Sequence, residues 1–495
     1  MKTLLVNPPF VRYGEKVDIH AEEPLGLLYL AAYLRENNKD VAILDAYQGK
    51  SSVPDSDGFF RSGLSDEEIE RKISECTPDV VGITCMFSIF SKGAHDVARV
   101  VKKVSKDILV VFGGIHSSAF TELVLSDENV DMVVMGEGEE TLLEIVERLE
   151  ARRTLTGIKS TTIRVNGKPS SYPHRPLIQD LDRLPMPARD FLDMSTYLND
   201  TYRNNFSMTP PRLNVITSRG CPFNCVYCGI HTVWRNKYRT RSPKKVGEEL
   251  ENLVKNYGVR EIAFMDDNLT FHKDRIHEIC DEIIRRKLDI KWCTPNGVAI
   301  WTLEKSLLNK MKESGCYKLT FGIETGSKKT QKFIRKSHID LEKSKEVIKY
   351  CNKIGLWTHS AFIIGFLNET KEDIEETVEY AINSDLDIAS FFIATPFPGT
   401  DLFKIYQEEG LIPKMNDATA LKWNALQWRA TCDTKFFTKE ELAAMLGDAY
   451  RRFYISRIPK FLNPIRLLRK CTNVDEIRFL MKLLMSFRST VRSMS

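Results

Sequence analysis

Short apolar runs alternate with helical periodicities along the first 150 residues. Five runs are apolar at nearly every position and short enough to be strands: KTLLVN (2–7), VAILDA (41–46), VVGITC (80–85), LVVFGG (109–114) and MVVMGE (132–137). Between them apolar residues recur at helical spacing, as in LGLLYLAAYLREN (25–37). Strands that are apolar on both faces are typical of a parallel sheet covered by helices on both sides. We therefore predict a doubly wound, Rossmann-like α/β domain over residues 1–150.

A second series of the same kind begins near residue 212. Its six apolar runs are RLNVIT (212–217), EIAFMD (261–266), IKWCTP (290–295), YKLTFGIE (317–324), THSAFIIG (358–365) and IASFFIAT (388–395). The first helix between them has a clear start signal, with Ser242 as N-cap and Pro243 at the first helical position. Six β-α units predict a partial (β/α)6 barrel of the TIM type over residues 205–415, whose site should lie at the carboxyl ends of the strands.

Two regions lack this rhythm. Residues 151–204 are rich in proline and polar residues, which predicts an ordered linker or a small subdomain. Residues 416–495 are predicted to be helical and basic. Their last 45 residues, 451–495, hold 11 Lys and Arg against two acidic residues, while the whole chain carries a net charge of only +4.

The basic region suggests a partner surface. The plainest interpretation is a solvated helical face; its interleaved apolar residues offer peripheral contact with an anionic membrane as the alternative, and nucleic acid as a weaker one. Pro459 and Pro464 are expected to interrupt any long amphipathic helix. The N-terminus resembles a first strand more than an export signal, and no apolar run is long enough to span a bilayer. We therefore expect a cytoplasmic protein with some membrane association.

Three of the 11 cysteines form a group, Cys221, Cys225 and Cys228 in SRGCPFNCVYCGIH, and the others are isolated. Isolated cysteines in a reducing compartment are small core residues. Three thiolates bind a soft metal. A structural zinc site usually has four protein ligands, and His231 could be the fourth one here. A [4Fe–4S] cluster with one iron left open fits the trio better.

The stretch CPFNCVYC resembles the cluster-binding motif of the radical S-adenosylmethionine superfamily. The resemblance implies that the three cysteines are metal ligands and catalytic, and that the open iron chelates S-adenosylmethionine. It further implies that the reduced cluster cleaves this cosubstrate to a 5′-deoxyadenosyl radical. The later stretches FMDDN (264–268), GIETGS (322–327), FIIGFLNET (362–370) and TPFPGT (395–400) resemble strand-end motifs of the same superfamily.

The resemblance also implies contacts with S-adenosylmethionine. Tyr227, and Ile364 with its neighbours, would contact adenine, the stretch around Asp266 would lie near the methionyl amino group, and Glu324 would reach a polar part and serve catalysis. Asp266 and Asp267 could instead cap the helix that follows. For Arg239 and Arg241, pairing with the cofactor carboxylate and exposure to solvent remain equal alternatives.

The first domain resembles the cobalamin-binding domain that precedes many radical S-adenosylmethionine enzymes. The resemblance rests on EPLGLLYLAAYL (23–34), GITCMFS (82–88), GGIHSS (113–118) and VVMGEGEETL (133–142). It implies that cobalamin is bound by Asp45, Thr84, Ser88, Gly113, Gly114, Gly136 and Gly138. Glycines at strand ends would let the backbone approach the cofactor, although they could simply make tight turns. The stretch DAYQG (45–49) has Tyr47 where many such domains have the histidine that ligates cobalt.

The two resemblances together predict a cobalamin-dependent radical enzyme. We expect it to C-methylate an unactivated carbon of a small, hydrophobic or lipid-like substrate, through the 5′-deoxyadenosyl radical and methylcobalamin. An external flavodoxin- or ferredoxin-type donor would supply electrons. The alternatives are a radical cyclase or rearrangement enzyme with the same cofactors, and a non-enzymatic iron–sulfur or cobalamin sensor. In either enzyme the first domain should cover the carboxyl edge of the barrel.

Overall fold

The computed structural model describes residues 1–14, 22–47, 52–198, 207–412 and 430–493. Its first part contains ten strands: β1 (Lys2–Asn7), β2 (Phe10–Tyr13), β3 (Asp40–Asp45), β4 (Val53–Pro54), β5 (Phe59–Ser62), β6 (Val80–Thr84), β7 (Leu109–Gly113), β8 (Met132–Val134), β9 (Thr161–Val165) and β10 (Lys168–Ser171). All five predicted strands of this part are present within one to three residues of their predicted ends.

Seven of these strands form one sheet in the order β10-β9-β8-β7-β6-β1-β3. The strands from β8 to β3 are parallel, while β9 and β10 add an antiparallel edge. The chain order reverses between β1 and β6, so this sheet has a switch point where doubly wound folds bind their ligands. The Rossmann-like class predicted for the first domain is confirmed. The short strands β2, β4 and β5 form a separate antiparallel sheet.

Six helices cover this sheet on both faces: α1 (Leu25–Glu36), α2 (Asp66–Cys76), α3 (Ser91–Val104), α4 (Ile115–Ala119), α5 (Thr121–Ser126) and α6 (Glu139–Glu150). One apolar core joins the sheet to α2 and α3, and another joins it to α1 and α6. The capping box at Ser65 and Glu68 explains where α2 begins.

The segment after residue 150 is ordered where it is described. Its hairpin β9-β10 extends the first sheet past the boundary that we predicted at 150. Farther along, Arg189 is buried and donates to Glu249 Oε1 at 2.9 Å and to the Asn214 carbonyl at 2.7 Å. The short helix α7 (Ser195–Leu198) follows. The linker therefore packs against the start of the barrel.

The second part contains the strands β11 (Arg212–Val215), β12 (Ser218–Arg219), β13 (Arg239–Thr240), β14 (Glu261–Phe264), β15 (Lys291–Val298), β16 (Cys316–Glu324), β17 (Trp357–Ile364) and β18 (Ile388–Ile393). Six of them form a parallel sheet in the sequential order β11-β14-β15-β16-β17-β18. This is the open (β/α)6 arrangement that the six apolar runs predict. The remaining pair, β12-β13, forms a small antiparallel ribbon above the first strand.

The helices of this part are α8 (His231–Trp234), α9 (Pro243–Tyr257), α10 (Lys273–Arg285), α11 (Lys305–Glu313), α12 (Lys328–Phe333), α13 (Leu341–Lys353), α14 (Lys371–Asn383) and α15 (Asp401–Glu408). As predicted, α9 begins with Ser242 accepting from the Lys245 N–H and with Pro243 in its first turn. Among the described residues, the largest apolar core lies between these helices and the convex face of the barrel sheet.

Three helices end the chain: α16 (Lys439–Phe461), α17 (Pro464–Lys470) and α18 (Val474–Ser493). The start of the predicted 416–495 region, up to residue 429, lies outside the described residues. Pro459 lies inside α16, so the expectation that it interrupts the helix is wrong, whereas Pro464 does begin a new helix. No helix within the described ranges is long and apolar enough to cross a membrane.

The carboxyl edges of the two main sheets face each other. Helix α4, which follows β7, contacts α8, which follows the cysteine group. Phe120 lies edge-on to Phe403 of α15 with ring centroids 6.0 Å apart. The first domain therefore covers the mouth of the barrel, as the shared site requires.

Candidate functional site

The cysteine loop follows directly on β12. Gly220 has φ +88°, and a Cβ at this position would lie 2.0 Å from the Lys237 carbonyl oxygen, so only glycine fits. The chain then turns to place Cys221, Cys225 and Cys228 on one half-buried loop, where the Cys228 N–H donates to the Cys225 carbonyl at 3.1 Å. All three thiols are free.

The surroundings of this loop fit an iron–sulfur cluster. Burial raises the pKa of each thiol, and that of Cys228 to about 12, so a positively charged partner is needed to hold three thiolates here. The Asn268 amide donates to Cys221 Sγ at 3.9 Å, and its buried Oδ1 has no hydrogen-bond partner among the described residues. Within those residues no three ligands converge on a single metal position. A cluster does not require this, because each thiolate binds a different iron.

A buried ion pair stands beside the cysteine loop. Glu324 ends β16 with φ +69°, and its Oε1 accepts from Lys336 Nζ at 3.0 Å. The same ammonium donates to the Gly322 carbonyl at 2.9 Å and lies 5.8 Å from the centre of the Tyr227 ring. It also partly offsets the rise that burial causes in the pKa of Cys225. The structure thus places Tyr227 and Glu324 on either side of one ammonium group, while their contacts with S-adenosylmethionine stay predictions.

Lys336 is the residue that sequence reasoning missed. It follows α12 in a stretch with no strand-end motif, and one lysine among the many of this chain carries no distinguishing pattern. Only the return of this segment over the barrel mouth places its cation between Glu324 and Cys225.

Asp266 and Asp267 connect the end of β14 to the cysteine loop. Asp266 is buried and accepts from Thr217 Oγ1 at 2.6 Å and from Ser218 Oγ at 2.5 Å. Asp267 Oδ2 accepts from the Gly220 N–H at 3.0 Å. Both carboxylates therefore hold the chain that leads into Cys221, and neither caps the following helix, whose N-cap is His272. The contact between Asp266 and S-adenosylmethionine stays a prediction.

Two further expectations about this mouth need correction. Ile364 is fully buried in the core beneath the barrel helices, and Ile363 is the partly accessible side chain at that strand end. The cause is the alternation of side chains along a strand. Neither Arg239 nor Arg241 faces solvent, because both are buried and pair with carboxylates, Arg239 with Glu137 and Arg241 with Glu249.

The carboxyl edge of the first sheet has room above it. A Cβ at Gly113 would meet nothing within 4 Å, and one at Gly136 would meet only the Val233 carbonyl oxygen, at 3.8 Å. By contrast, Gly114 has φ +109° and lies against the Cys85 carbonyl, and a Cβ at Gly138 would press on Leu30 at 3.1 Å. Gly113 and Gly136 thus fit the close approach of a flat cofactor, whereas Gly114 and Gly138 serve the turns.

The polar residues predicted for this edge also fall into two groups, since Thr84 and Ser88 lie at the edge and Asp45 does not. Thr84 ends β6 half-buried, beside the switch point. Ser88 Oγ lies 2.9 Å from His116 Nδ1, and burial lowers the pKa of that imidazole to about 3. Asp45, however, is turned inward: it accepts from Asn7 Nδ2 at 2.8 Å and from the Tyr197 hydroxyl. Its predicted contact with cobalamin stays a prediction, because Asn7 and Tyr197 already donate to its carboxylate.

Tyr47 packs into the main apolar core and is 5% exposed, so it offers no ligand to this edge. The rest of that stretch, Gln48 and Gly49, lies outside the described residues. In contrast, Met86 and Phe87, which follow β6, are 40% and 56% exposed. Exposed apolar side chains beside two open glycines form a surface that suits the broad face of a corrin.

Buried ion pairs connect the two edges. Arg219, two residues before Cys221, donates to Glu137 Oε1 at 2.7 Å and to Glu139 Oε1 at 2.5 Å. Arg239 of the ribbon also pairs with Glu137, at 2.9 Å. Glu137 and Glu139 lie within three residues after Gly136, so the same contacts position the open glycine edge and the cysteine loop relative to each other.

Comparison with known families agrees with this geometry. A model of the radical SAM superfamily matches residues 215–381, and a model of the B12 binding domain matches residues 20–146. An uncharacterized methyltransferase of Pyrococcus horikoshii is 37% identical over 469 residues, which are 93% of this chain and 94% of that protein. The chain therefore belongs to the radical SAM superfamily and carries an N-terminal B12 binding domain. Its cofactors are a [4Fe–4S] cluster, S-adenosylmethionine and cobalamin.

Other relatives indicate the range of this group. The cytidylyl-2-hydroxyethylphosphonate methyltransferase of Streptomyces wedmorensis is 31% identical over 83% of this chain and 82% of its own length. An anaerobic magnesium-protoporphyrin IX monomethyl ester cyclase of Rubrivivax gelatinosus is 29% identical over 92% and 78%. The chain is thus an enzyme, which rules against the sensor alternative.

Solved structures share the fold. The radical S-adenosylmethionine methyltransferase TsrM from Kitasatospora setae aligns with a TM-score of 0.67 at 16% identity, over 84% of this chain and 76% of that one. The cobalamin-dependent S-adenosylmethionine radical enzyme OxsB aligns with a TM-score of 0.71 at 15% identity, over all of this chain and 72% of that one.

Proposed function

We propose that this enzyme methylates an unactivated carbon of a small, hydrophobic substrate. The observation that carries the proposal is the apposition of the two sites: a Cβ added to the open glycine Gly136 would lie 3.8 Å from the carbonyl oxygen of Val233, five residues beyond the last cysteine of the group. Two relatives at 37% and 31% identity are named methyltransferases, which supports the same reaction class.

The residues of the chain would divide the work by position. Cys221, Cys225 and Cys228 would hold the cluster, while Lys336 and Glu324 would offer opposite charges to the charged end of S-adenosylmethionine. The edge at Gly113 and Gly136 would hold cobalamin. When bound, these groups supply homolytic cleavage of S-adenosylmethionine and a methyl group for transfer. The covering domain would exclude water from the space between the two sites.

The concave face of the barrel offers a place for the substrate. Along β17 the side chains of His359, Ala361 and Ile363 are partly accessible, whereas the positions between them are buried against the helices. Phe392 of β18 is likewise partly accessible. The accessible side chains toward the carboxyl ends of β17 and β18, Ala361, Ile363 and Phe392, are therefore apolar, which suits a substrate with a hydrocarbon portion at the reacting carbon.

The floor of this face is polar. His359 Nε2 lies 2.9 Å from Ser390 Oγ, and its Nδ1 lies 3.1 Å from Thr320 Oγ1. Burial lowers the pKa of His359 to about 3, so the imidazole is neutral at physiological pH. Thr320 lies roughly 13 Å below Glu324 at the usual rise of a strand. A substrate with one uncharged polar group at its far end would match this floor.

The deciding experiment uses S-adenosylmethionine that carries a trideuterated methyl group. The anaerobically reconstituted enzyme, with a reductant of the flavodoxin or ferredoxin type, is incubated with extracts of the source cells and the products are analysed by mass. We expect a product that carries the label, together with 5′-deoxyadenosine. A Cys225→Ala variant should yield neither compound.

The alternative is a radical cyclase, favoured by the 29% identity to the magnesium-protoporphyrin ester cyclase. The same assay separates the two activities. A product that loses hydrogen and gains no label, while 5′-deoxyadenosine still forms, would establish the cyclase and reject methyl transfer.

A further inference from the structure

The segment that follows α12 runs along the cysteine loop. The Arg335 guanidinium donates to the Asn224 carbonyl at 3.2 Å. Farther along the segment, the His338 ring stacks on the Phe223 ring, with centroids 4.9 Å apart and an angle of 15° between the two planes. These two contacts hold the residues between them beside the part of the loop that leads into Cys225.

Lys336 lies between these contacts and carries a buried charge. It is 8% exposed, and its ammonium lies 5.8 Å from the centre of the ring of Tyr227, which follows Cys225 closely in the loop. Burial lowers the pKa of Lys336, but Glu324 and Cys225 raise it by more, so the net shift is upward and the ammonium keeps its proton at neutral pH. A positive charge is therefore fixed beside the cysteines.

Glu324 opposes this charge only in part. Its Oε1 accepts from Lys336 Nζ at 3.0 Å, so the two groups form one buried ion pair. The two charges act on the loop with different strength. Burial raises the pKa of the Cys225 thiol, Lys336 lowers it, and Glu324 raises it by a smaller amount than the lysine lowers it. At Cys225 the cation is therefore the stronger member of the pair.

A fixed cation at this place has a consequence for electron uptake. One electron from the external flavodoxin- or ferredoxin-type donor adds one negative charge to an iron–sulfur cluster, and the charges and hydrogen bonds around a cluster set its reduction potential. A buried cation favours the more negative state, because Coulomb interactions are weakly screened in the interior of a protein.

We propose that the charge of Lys336 raises the reduction potential of the cluster held by Cys221, Cys225 and Cys228 and so favours its one-electron reduction. The lysine acts here on the cluster itself, in addition to the contact with S-adenosylmethionine proposed above. The inference requires the cluster only, so it does not depend on methyl transfer or on the identity of the substrate.

The test is a redox titration of the anaerobically reconstituted full-length enzyme with titanium(III) citrate, without S-adenosylmethionine or substrate. Electron paramagnetic resonance measures the reduced cluster at each potential. In Lys336→Met we expect the ratio of reduced to oxidised cluster at a given potential to fall tenfold, which for one electron is a midpoint about 59 mV more negative. Lys336→Arg keeps the charge and should retain the midpoint of the unaltered enzyme.

Glu324→Gln removes the opposing carboxylate and should shift the midpoint in the other direction, to a more positive potential. Loss of loop structure alone would not shift the two variants in opposite directions. The matched control is Lys329→Met. Lys329 lies on α12 itself, but its side chain is 53% exposed and pairs with Asp373 of α14 at 2.5 Å. This variant should leave the midpoint unchanged.

The proposal is overturned if Lys336→Met keeps the midpoint of the unaltered enzyme, or if Lys329→Met shifts it by the same amount. A Lys336→Met variant that only binds S-adenosylmethionine more weakly would also overturn it, because the lysine would then serve the cosubstrate alone. Iron content per chain shows whether each variant holds its cluster. If Lys336→Met does not, Glu324→Gln decides, and a midpoint no more positive than that of the unaltered enzyme overturns the proposal.

Discussion

At the scale of single residues, Gly220 controls the cysteine loop. Its φ of +88° and the 2.0 Å approach of the Lys237 carbonyl exclude any side chain. A Gly220→Ala variant should fold but bind iron poorly, because the loop that carries Cys221 must shift. Iron content per chain after anaerobic reconstitution measures this, and we expect a loss of at least half.

The control for this variant is Gly258→Ala. Gly258 also has a left-handed φ, +63°, but a Cβ there would meet nothing within 4 Å. It should cost about 1 kcal/mol of stability from backbone strain alone and leave the iron content unchanged. Equal iron loss in both variants would show that the clash at Gly220 is not what matters.

Glu369 makes the stability of the barrel depend on pH. Burial raises its pKa from the ordinary 4.5 to about 7, although the Gly365 and Phe366 N–H groups donate to its Oε2. The folded protein therefore binds this proton more tightly than the unfolded chain does. The contribution of Glu369 to the free energy of unfolding is complete below pH 4.5 and decreases as the pH rises towards 7. Above about pH 7 it no longer changes with pH.

A Glu369→Gln variant removes this dependence, because glutamine keeps the same acceptor and resembles the protonated acid. We expect it to be more stable than the unaltered enzyme by up to about 3 kcal/mol at pH 8, with the difference shrinking as pH falls towards 5. Urea unfolding across this pH range measures it. The exposed Glu408 offers a control, since Glu408→Gln should leave the curve unchanged; a constant difference for Glu369→Gln would contradict the prediction.

At the scale of elements, the contact between β12 and the segment after β8 joins the two domains. Arg219→Met would leave Glu139 buried without its cation, which typically costs about 3–5 kcal/mol. We expect lower stability in guanidinium unfolding and faster proteolysis between residues 151 and 204, as the domains separate.

Arg35→Met is the comparison for this change. The Arg35–Asp190 pair has side chains 48% and 60% exposed, so its removal should cost less than about 1 kcal/mol. If the two variants unfold alike, the buried pairs do not hold the domains together.

At the scale of the whole molecule, the C-terminal helices close the side of the barrel where the strands begin. Phe479, Leu483 and Phe487 cover Tyr317 and Trp357. A chain that ends at residue 463 would uncover these side chains and lose roughly 5 kcal/mol of apolar burial. We expect a lower Tm and binding of a hydrophobic dye. Leu468→Asp in the full chain alters an exposed position only and should leave the Tm unchanged.

Much of this architecture follows from the sequence by itself. The apolar runs determine the strands and their parallel class, because a strand buried on both faces must be apolar throughout. The cysteine spacing determines the kind of cofactor, and the glycines at 113, 114, 136 and 138 mark an edge that a flat molecule could approach. These features are local, so a single stretch of chain contains the whole signal.

Other features exist only in the tertiary structure. Lys336 becomes part of the site because a distant segment returns over the barrel mouth. Asp45 is turned away from the glycine edge because its carboxylate accepts a hydrogen bond from the Tyr197 hydroxyl. Arg239 is buried because Glu137 of the other domain faces it. The energy of a charged side chain depends on which groups the fold brings beside it, and residues far apart in sequence supply those groups.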